Sequence, residues 1–212
     1  MRMRRKPNLE ARLEKCSHLL VRAPELYRGR WLEEFPGYKE LHIELGCGKG
    51  RFTVGTAKTS PDVLFVALEK SANVMVIALE RAANEGLRNA LFAGCFADYL
   101  TDYFSPGEVS RIYINFCDPW PSVRHAKRRL TGQPFLELYT QVLRPGGEIY
   151  LKTDNLQLFE FSLLEFELCG FSNLEIVRDL HKSGPVGVMT DYELKFYEQG
   201  LPIYQGVWCI RA

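Results

Sequence analysis

Short runs of apolar residues alternate along the chain with longer segments in which apolar residues recur at helical spacing. The short runs predict strands at 41–45, 63–69, 89–94, 109–116 and 148–154, with two more at 173–180 and 202–212. The longer segments predict helices from about Gly50 and at 71–86, 134–143 and 155–170. The run at 109–116 is too continuously apolar for a strand in a sheet that has one face exposed to solvent. This order predicts an α/β fold, with an open, doubly wound, mostly parallel sheet and helices on both faces.

The beginning of the chain does not share this alternation. Residues 1–38 are therefore predicted to form a basic N-terminal extension, either packed on the core or partly mobile, and residues 39–212 to form the main domain. A polar segment stands where a signal peptide would be apolar, and no run approaches the roughly 18 apolar residues of a membrane span. A cytoplasmic protein is expected. Either a nucleic-acid surface or a disordered tail is predicted for the first basic residues, Arg2, Arg4, Arg5 and Lys6.

The composition is that of a globular protein whose charges nearly cancel. Of 212 residues, 46% are hydrophobic and 25% are charged, and the formal net charge is +1. A nucleic-acid partner would therefore be bound by a local basic patch rather than by the charge of the whole chain. The six cysteines form no C-x-x-C pair and no zinc-site spacing. No metal is predicted, and the cysteines are interpreted as small buried side chains in a reducing compartment.

A glycine-rich loop, "ELGCGKG", follows the first predicted strand. Gly46 and Gly48 let the backbone turn tightly, but the third glycine comes one residue too early for the dinucleotide fingerprint G-x-G-x-x-G. Glu44 precedes the loop, and a carboxylate there would repel a pyrophosphate and attract a cationic amino acid or a sulfonium. Glu69 ends the next strand, where an acid can accept both ribose hydroxyls of an adenosine. These features predict S-adenosylmethionine rather than NAD, against the alternative of a strand-to-helix turn with no ligand.

The stretch "INFCDPWPSVRHAKRRLTG" passes from a buried strand to a basic cluster. Asp118 ends the strand, and Pro119 and Pro121 restrict the backbone around it, so a stiff loop with a placed carboxylate is predicted. Trp120 either packs on the core or forms a wall of the acceptor pocket. The following basic residues predict a docking surface for phosphates, against the alternative of a solvated helix face. They are Arg124, Lys127, Arg128 and Arg129, with His125 among them.

Polar groups follow predicted structure at two later places in the chain. Asp154 ends the strand at 148–154; it either caps the helix predicted to begin near Asn155 or points into the same cleft. The stretch from Thr190 to Glu193 is either the capped start of a helix or a set of polar groups that reaches a base edge.

Taken together, these motifs resemble those of the bacterial tRNA (guanine-N7-)-methyltransferase family. The resemblance spans nearly the whole chain and rests on "ELGCGKG", "ALEKS", "NFCDPWP…RHAKRRL", "YLKTDN" and "MTDYELKFYEQGLPIY", of which the DPWP-to-KRRL block is highly specific. It implies a class I methyltransferase (Rossmann-like) fold, S-adenosyl-L-methionine as donor, and N7 of a guanine in the variable loop of tRNA as acceptor. It also implies tRNA as partner, no membrane, and either a monomer or a homodimer.

The resemblance assigns roles to individual positions. Asp118 is the expected catalytic residue. Cofactor binding is expected at Glu44, Gly46, Gly48, Glu69, Phe96 and Asp118. Substrate binding is expected at Ser122, Asp154, Thr190, Asp191, Tyr192 and Glu193. Two positions depart from the family pattern. Phe96 replaces an Asp or Asn that would hydrogen-bond the adenine, and Ser122 replaces a lysine that contacts RNA, so Lys127 or Arg124 is expected to supply that charge.

Parts of the sequence are also shared with three other functional classes. An N6-adenine methyltransferase is suggested by D-P-W-P, although Trp120 stands where the motif D/N-P-P-Y/W has proline. A non-catalytic tRNA-binding module on the same fold is disfavoured by the retained acids Glu44, Glu69 and Asp118. A dehydrogenase is the least consistent with the glycine spacing.

Overall fold

One eight-stranded sheet flanked by helices forms the centre of the molecule, a computed structural model that describes residues 7–210. The strands are β1 (Leu20–Val21), β2 (Glu40–Leu45), β3 (Val63–Leu68), β4 (Ala90–Ala93), β5 (Val109–Asn115), β6 (Leu143–Thr153), β7 (Ser172–Val177) and β8 (Tyr204–Cys209). The helices are α1 (Leu9–Lys15), α2 (Trp31–Glu34), α3 (Arg51–Thr59), α4 (Ala72–Asn84), α5 (Leu100–Tyr103), α6 (Gln133–Val142), α7 (Leu156–Leu168) and α8 (Asp191–Glu198). Short 3-10 turns lie at Ser17–Leu19, Pro24–Tyr27, Ala97–Tyr99 and Val123–Arg128.

The order of the strands places a crevice near the middle of the sheet. The order is β1-β4-β3-β2-β5-β6-β8-β7, and every neighbouring pair is parallel except the two that β8 makes. The predicted open, mostly parallel sheet is thereby confirmed. The chain runs from β2 outward to β3 and later returns to β5 on the other side of β2. The carboxyl ends of β2 and β5 therefore border the switch point, where open α/β sheets bind their ligands.

β6 is longer than the sequence predicted. The pattern ended a helix at 143 and began the strand at Glu148, whereas β6 begins at Leu143. Leu143 pairs with Val109, and the register then shifts before Glu148 pairs with Arg111. The strand therefore accommodates its Pro-Gly-Gly segment at an irregularity of the ladder, as β-bulges do, instead of ending there.

Residues 7–38 pack against the sheet through short elements that sequence periodicity did not reveal. α1 lies on α4, where the Arg12 guanidinium donates two hydrogen bonds of 2.6 Å to the Glu80 carboxylate. β1 pairs in parallel with β4, and the fully buried Trp31 donates its indole N–H to the carbonyl of Tyr103 at 2.9 Å. The domain boundary after residue 38 stays a prediction. Outside the described residues lie the predicted basic positions Arg2, Arg4, Arg5 and Lys6.

Candidate active site

The glycine-rich loop after β2 leaves open space beside its backbone. Gly46, Gly48 and Gly50 have φ angles of 76°, 57° and 72°, which glycine adopts without steric cost. A Cβ on Gly50 would lie 2.5 Å from the Cβ of Ala78, so this glycine is needed for packing on α4. A Cβ on Gly46 or Gly48 would meet nothing within 4 Å. The loop therefore offers a cradle in which a ligand can approach the main chain.

The carboxylate of Glu69 joins this loop to the start of α4. One oxygen accepts the N–H of Gly48 at 3.1 Å and the other accepts the N–H of Ser71 at 2.9 Å. Each carboxylate oxygen has two lone pairs, so both can accept a further hydrogen bond. The expected contact of Glu69 with a ribose is compatible with this geometry and stays a prediction.

Glu44 is a buried acid at the carboxyl end of β2. Its oxygens accept hydrogen bonds from the hydroxyl of Thr53 and, at 2.9 Å, from the amide of Asn115. Burial raises the pKa of Glu44, and these two hydrogen bonds, together with the charge of Lys152, oppose that rise. A ligand cation nearby would favour the charged carboxylate further.

Asn115 contributes an orphaned acceptor to the same place. Its amide donates to Glu44, but its Oδ1 is buried and has no hydrogen-bond partner in the part of the chain that the structure describes. Buried polar atoms are almost always paired, so an orphan at a strand end is a candidate acceptor for a ligand that donates a hydrogen bond. Together with the glycine cradle and the two acids, this atom fits an S-adenosylmethionine, whose ammonium group is a donor and a cation.

Asp118 stands exposed on a strained loop after β5. Phe116 and Trp120 on either side have φ angles of 53° and 42°, which side chains larger than glycine rarely adopt. The Asp118 carboxylate has no hydrogen bond or ion pair within residues 7–210. Burial, with the adjacent charge of Asp118, raises the pKa of Cys117 to about 12, so that thiol stays protonated. The strand end therefore offers a carboxylate, not a thiolate, to the crevice.

The basic run after this loop does not behave as one uniform patch. Arg129 turns back onto the loop and donates to the carbonyls of Pro119 at 3.0 Å and Trp120 at 2.9 Å. Arg128 stacks on the Trp120 ring, 4.9 Å from its centre. The His125 ring packs edge-to-face with the Trp120 ring, and their centres are 5.6 Å apart. Trp120 is thus half-buried among basic side chains of its own loop.

The remaining cations of the run face solvent. Arg124 and Lys127 are exposed on the 3-10 turn and have no hydrogen bond or ion pair to any other described residue. Ser122 precedes the turn; its carbonyl accepts the N–H of His125 at 2.9 Å, and its side chain is exposed. The expected phosphate and substrate contacts of these residues stay predictions.

Asp154 does not cap the helix that follows it. Asn155 is the N-cap of α7, because its side chain accepts the N–H of Leu158 at 2.8 Å. The N–H of Asn155 in turn donates to the hydroxyl of Thr153 at 3.1 Å. The capping interpretation of Asp154 is therefore wrong by one residue. Its side chain is exposed at the carboxyl end of β6, where it can still face a substrate.

The stretch from Thr190 to Glu193 forms a capping box at the start of α8. The Thr190 hydroxyl accepts the N–H of Glu193 at 2.9 Å, and the Glu193 carboxylate accepts the N–H of Thr190 at 3.1 Å. Asp191 forms a salt bridge with Arg81, with 3.1 Å between Oδ2 and Nη1. The side chain of Tyr192, in contrast, is 66% exposed. Substrate contact stays a prediction for all four residues, and Tyr192 is the member whose side chain is free to make it.

Glu193 is also the centre of a buried network that the sequence did not reveal. Its Oε1 lies 2.9 Å from Nζ of Lys152 and 2.9 Å from Nε2 of His181. The other ring nitrogen of His181 accepts the N–H of Val186 at 3.2 Å. The one available signal was Lys152, a charged residue inside an otherwise apolar strand pattern.

Phe96 lies in the loop after β4, beside the same edge of the sheet. It precedes the 3-10 turn Ala97–Tyr99, has an extended backbone and is 52% exposed. Its aromatic ring has no polar atom, so the expected contact with adenine would involve its backbone or the face of the ring. The side chains of Asp98 and Tyr99, which follow in the same loop, are exposed as well.

Residues 7–210 contain no group of three or more His, Cys, Asp or Glu side chains placed to hold a metal ion. Within the same residues, no helix is both long and apolar enough to cross a bilayer.

Comparison with known proteins points to one family. A family model described as "Putative methyltransferase" matches residues 38–206. The chain is 45% identical to the tRNA (guanine-N(7)-)-methyltransferase of Geobacillus kaustophilus, over 97% of this chain and 95% of that protein. It is 43% identical to the enzyme of the same name from Bacillus subtilis, over 97% of both chains.

Solved structures show the same architecture at low sequence identity. The crystal structure of the 16S rRNA methyltransferase KamB superposes with a TM-score of 0.64 at 17% identity, over 83% of this chain and 90% of that one. At this identity the likeness concerns the fold alone, which is that of the class I methyltransferases.

Proposed function

The chain belongs to the tRNA (guanine-N(7)-)-methyltransferase family, and we propose that the crevice between β2 and β5 is where it methylates N7 of a guanine in the variable loop of tRNA. The methyl donor is S-adenosyl-L-methionine. The observation that carries the proposed site is the exposed carboxylate of Asp118, without a partner among the described residues, next to the glycine cradle after β2. An acid left free on a rigid, strained loop is a candidate for contact with substrate.

Methyl transfer to N7 requires the protein mainly to align the reacting atoms. When bound, S-adenosyl-L-methionine supplies a methyl group on a sulfonium sulfur, which keeps the electron pair of the broken C–S bond while the lone pair of N7 forms the new bond. Guanine N7 carries no proton, so no base has to remove one before attack. Holding the reacting atoms in line can contribute roughly 7–11 kcal/mol in favourable cases.

Asp118 is proposed to recognise the guanine and to stabilise its product charge. Its carboxylate accepts hydrogen bonds from N1–H and the 2-amino group. Adenine lacks this pair of donors, so an adenine would leave a desolvated acceptor unpaired, which selects against it. Methylation makes the ring cationic, and a carboxylate beside it stabilises the charge as it develops.

The other side of the crevice is proposed to hold the donor. Glu44 and the orphaned Oδ1 of Asn115 receive the ammonium group, and Glu69 receives the ribose. Phe96 lies on the adenine side. Burial raises the pKa of Glu44, and a bound cation beside it would favour the charged carboxylate.

Arg124 and Lys127 are proposed to bind tRNA phosphates. Both are exposed on the turn that follows Asp118, where RNA would enter the crevice. The target base has to leave its stacked position to reach Asp118, as other base-modifying enzymes require. Since tRNA is the substrate, we place the protein in the cytoplasm.

Methyl transfer to unmodified bulk tRNA, followed by borohydride and aniline treatment, tests this proposal. Aniline cleaves the chain at N7-methylguanine, so cleavage at one variable-loop position would identify the donor, acceptor and atom together. Methyl transfer without cleavage would reject N7 and favour a different methylated atom. Binding of tRNA without transfer would favour the non-catalytic module.

A further inference from the structure

Arg129 is bound to the loop that presents Asp118. Its Nε donates to the carbonyl of Pro119 at 3.0 Å and lies 3.3 Å from that of Trp120, which also accepts from Nη2 at 2.9 Å. Two successive carbonyls can face one guanidinium only if the chain curls around it. The backbone at Trp120 does curl, with a φ of 42°.

This contact is made where the loop needs support. A positive φ on a tryptophan is a disfavoured conformation that persists only when surrounding groups over-determine it. The hydrogen bonds from Arg129 hold the carbonyl groups of the two residues that directly follow Asp118. If they were lost, the loop could relax toward ordinary backbone angles, and the carboxylate would move with it.

The guanidinium of Arg129 also packs against an aromatic ring outside the loop. It lies over the ring of Phe161 on α7, 4.2 Å from the ring centre. The main chain beyond it is held as well, because the hydroxyl of Tyr139 donates to the carbonyl of Leu130 at 2.8 Å. Arg129 thus connects the strained loop to α7, and the next residue, Leu130, is held by α6. A lysine keeps the charge at this position but has neither the flat face nor the fork of donors that these contacts use.

We propose that Arg129 is a positioning residue for Asp118, and that phosphate binding by the basic run falls to Arg124 and Lys127. This division rests on the proposed methyl-transfer function. It changes the sequence-based expectation that all four cations of the run bind phosphate. Arg129 uses its donors inside the protein, whereas Arg124 and Lys127 have theirs free for RNA among the described residues.

The test compares Arg129→Lys with Lys127→Gln in single-turnover methylation and in tRNA binding at several salt concentrations. For Arg129→Lys we expect the rate at saturating tRNA to fall by about 10-fold or more, with the dissociation constant for tRNA within threefold of wild type and the salt slope unchanged. For Lys127→Gln we expect a higher KM for tRNA and a slope of log Kd against log salt that is smaller by about 0.7–0.9, as for one lost phosphate contact.

Arg30→Lys is a matched control, because Arg30 is an exposed arginine that also donates to a main-chain carbonyl, that of Leu26 at 2.9 Å. We expect it to behave as wild type. A second variant, Phe161→Leu, removes the ring beneath the guanidinium without changing any charge, and should lower the saturating rate in the same direction as Arg129→Lys. It decides the question if Arg129→Lys does not fold.

Two results would overturn the positioning role. One is a wild-type saturating rate in Arg129→Lys, or in Phe161→Leu where the lysine variant is unfolded. The other is a loss of tRNA affinity and salt slope in Arg129→Lys with an unchanged saturating rate. If the wild-type protein itself transferred no methyl group to tRNA, the proposed function would fail instead, which separates the two failures.

Discussion

Lys152 and Glu193 form a buried ion pair, with Nζ 2.9 Å from Oε1, that joins the central strand β6 to the start of α8. Their side chains are only 9% and 0% exposed. Because Glu193 also closes the capping box with Thr190 and contacts His181, one carboxylate fixes the N-terminus of α8 in three ways. The exposed Tyr192 is presented from that fixed turn.

Replacing Lys152 by Met should therefore destabilise the fold strongly. Removing one partner of a buried pair leaves the other charge desolvated, at a cost of about 3–5 kcal/mol. Urea unfolding measures this change. Lys58→Met is the control, since Lys58 pairs with Glu85 at 2.6 Å but both side chains are largely exposed, and such pairs contribute about 0–1 kcal/mol. Equal losses in the two variants would contradict the special role of the buried pair.

His42 should make the protein sensitive to acid. Burial lowers the pKa of His42 from 6.5 to about 4, and its contact with Glu40 at 2.9 Å only partly opposes this. Between these pH values the unfolded chain binds a proton that the folded chain does not, so the free energy of unfolding falls as pH falls from 6.5 to 4. The fall amounts to up to about 3 kcal/mol from this group.

His42→Gln removes the titrating ring and should remove this part of the pH dependence. Urea unfolding of both proteins at several pH values between 4 and 7 measures the difference. Glu40 keeps its other partner, Arg144 at 2.6 Å, in the variant. A difference between the proteins that stayed constant with pH would show that His42 has the same pKa in the folded and unfolded chains, and would contradict the prediction.

Asp118→Asn and Asp118→Ala should abolish most methyl transfer while S-adenosylhomocysteine still binds. Loss of a group that stabilises developing charge typically lowers kcat by about 10²–10³-fold. Calorimetric titration of S-adenosylhomocysteine, beside single-turnover rates, separates the two effects. A loss of cofactor affinity as large as the loss of rate would assign Asp118 to the donor rather than to the guanine.

Gly48→Ala should weaken cofactor binding far more than it weakens the fold. Gly48 has a φ of 57° and open space where a Cβ would stand, so a methyl group there would enter the cradle. Gly86→Ala is the matched control, with a φ of 66° and equally open space beyond the end of α4. Both should lose about 1–2 kcal/mol of stability through the left-handed backbone. Only Gly48→Ala should lose affinity for S-adenosylhomocysteine, by about 10-fold or more.

The features that the sequence predicted are those with a local cause. The strands of the sheet follow from apolar runs, and the positions of Glu44, Glu69 and Asp118 at strand ends follow from where those runs stop. In a parallel sheet these ends share one edge, so the placement of the three acids on that edge could be foreseen. Even the cap of α8 was visible, because Thr190 and Glu193 have the spacing of a capping box.

The features that the sequence did not predict depend on contacts between distant residues, or belong to helices and strands too short to show a periodic pattern of apolar residues. Lys152 and Glu193 are 41 residues apart, and nothing in either neighbourhood indicates the other. The hydrogen bonds from Arg129 to its own loop depend on the positive φ of Trp120. That backbone angle cannot be predicted from the residue type. β1 has only two residues, and α2 only four.

β8 comes after β7 in the chain but lies between β6 and β7 in the sheet. While the protein is being synthesised, β6 therefore has an unpaired edge and β7 has no partner until residues 204–209 have emerged from the ribosome. Open strand edges of this kind invite pairing with other nascent chains. β2, which carries Glu44, and β5, which leads to Asp118, can assemble earlier. The part of the chain that contains α8 lies between β7 and β8, so it can settle on the sheet only once β8 has inserted into this gap.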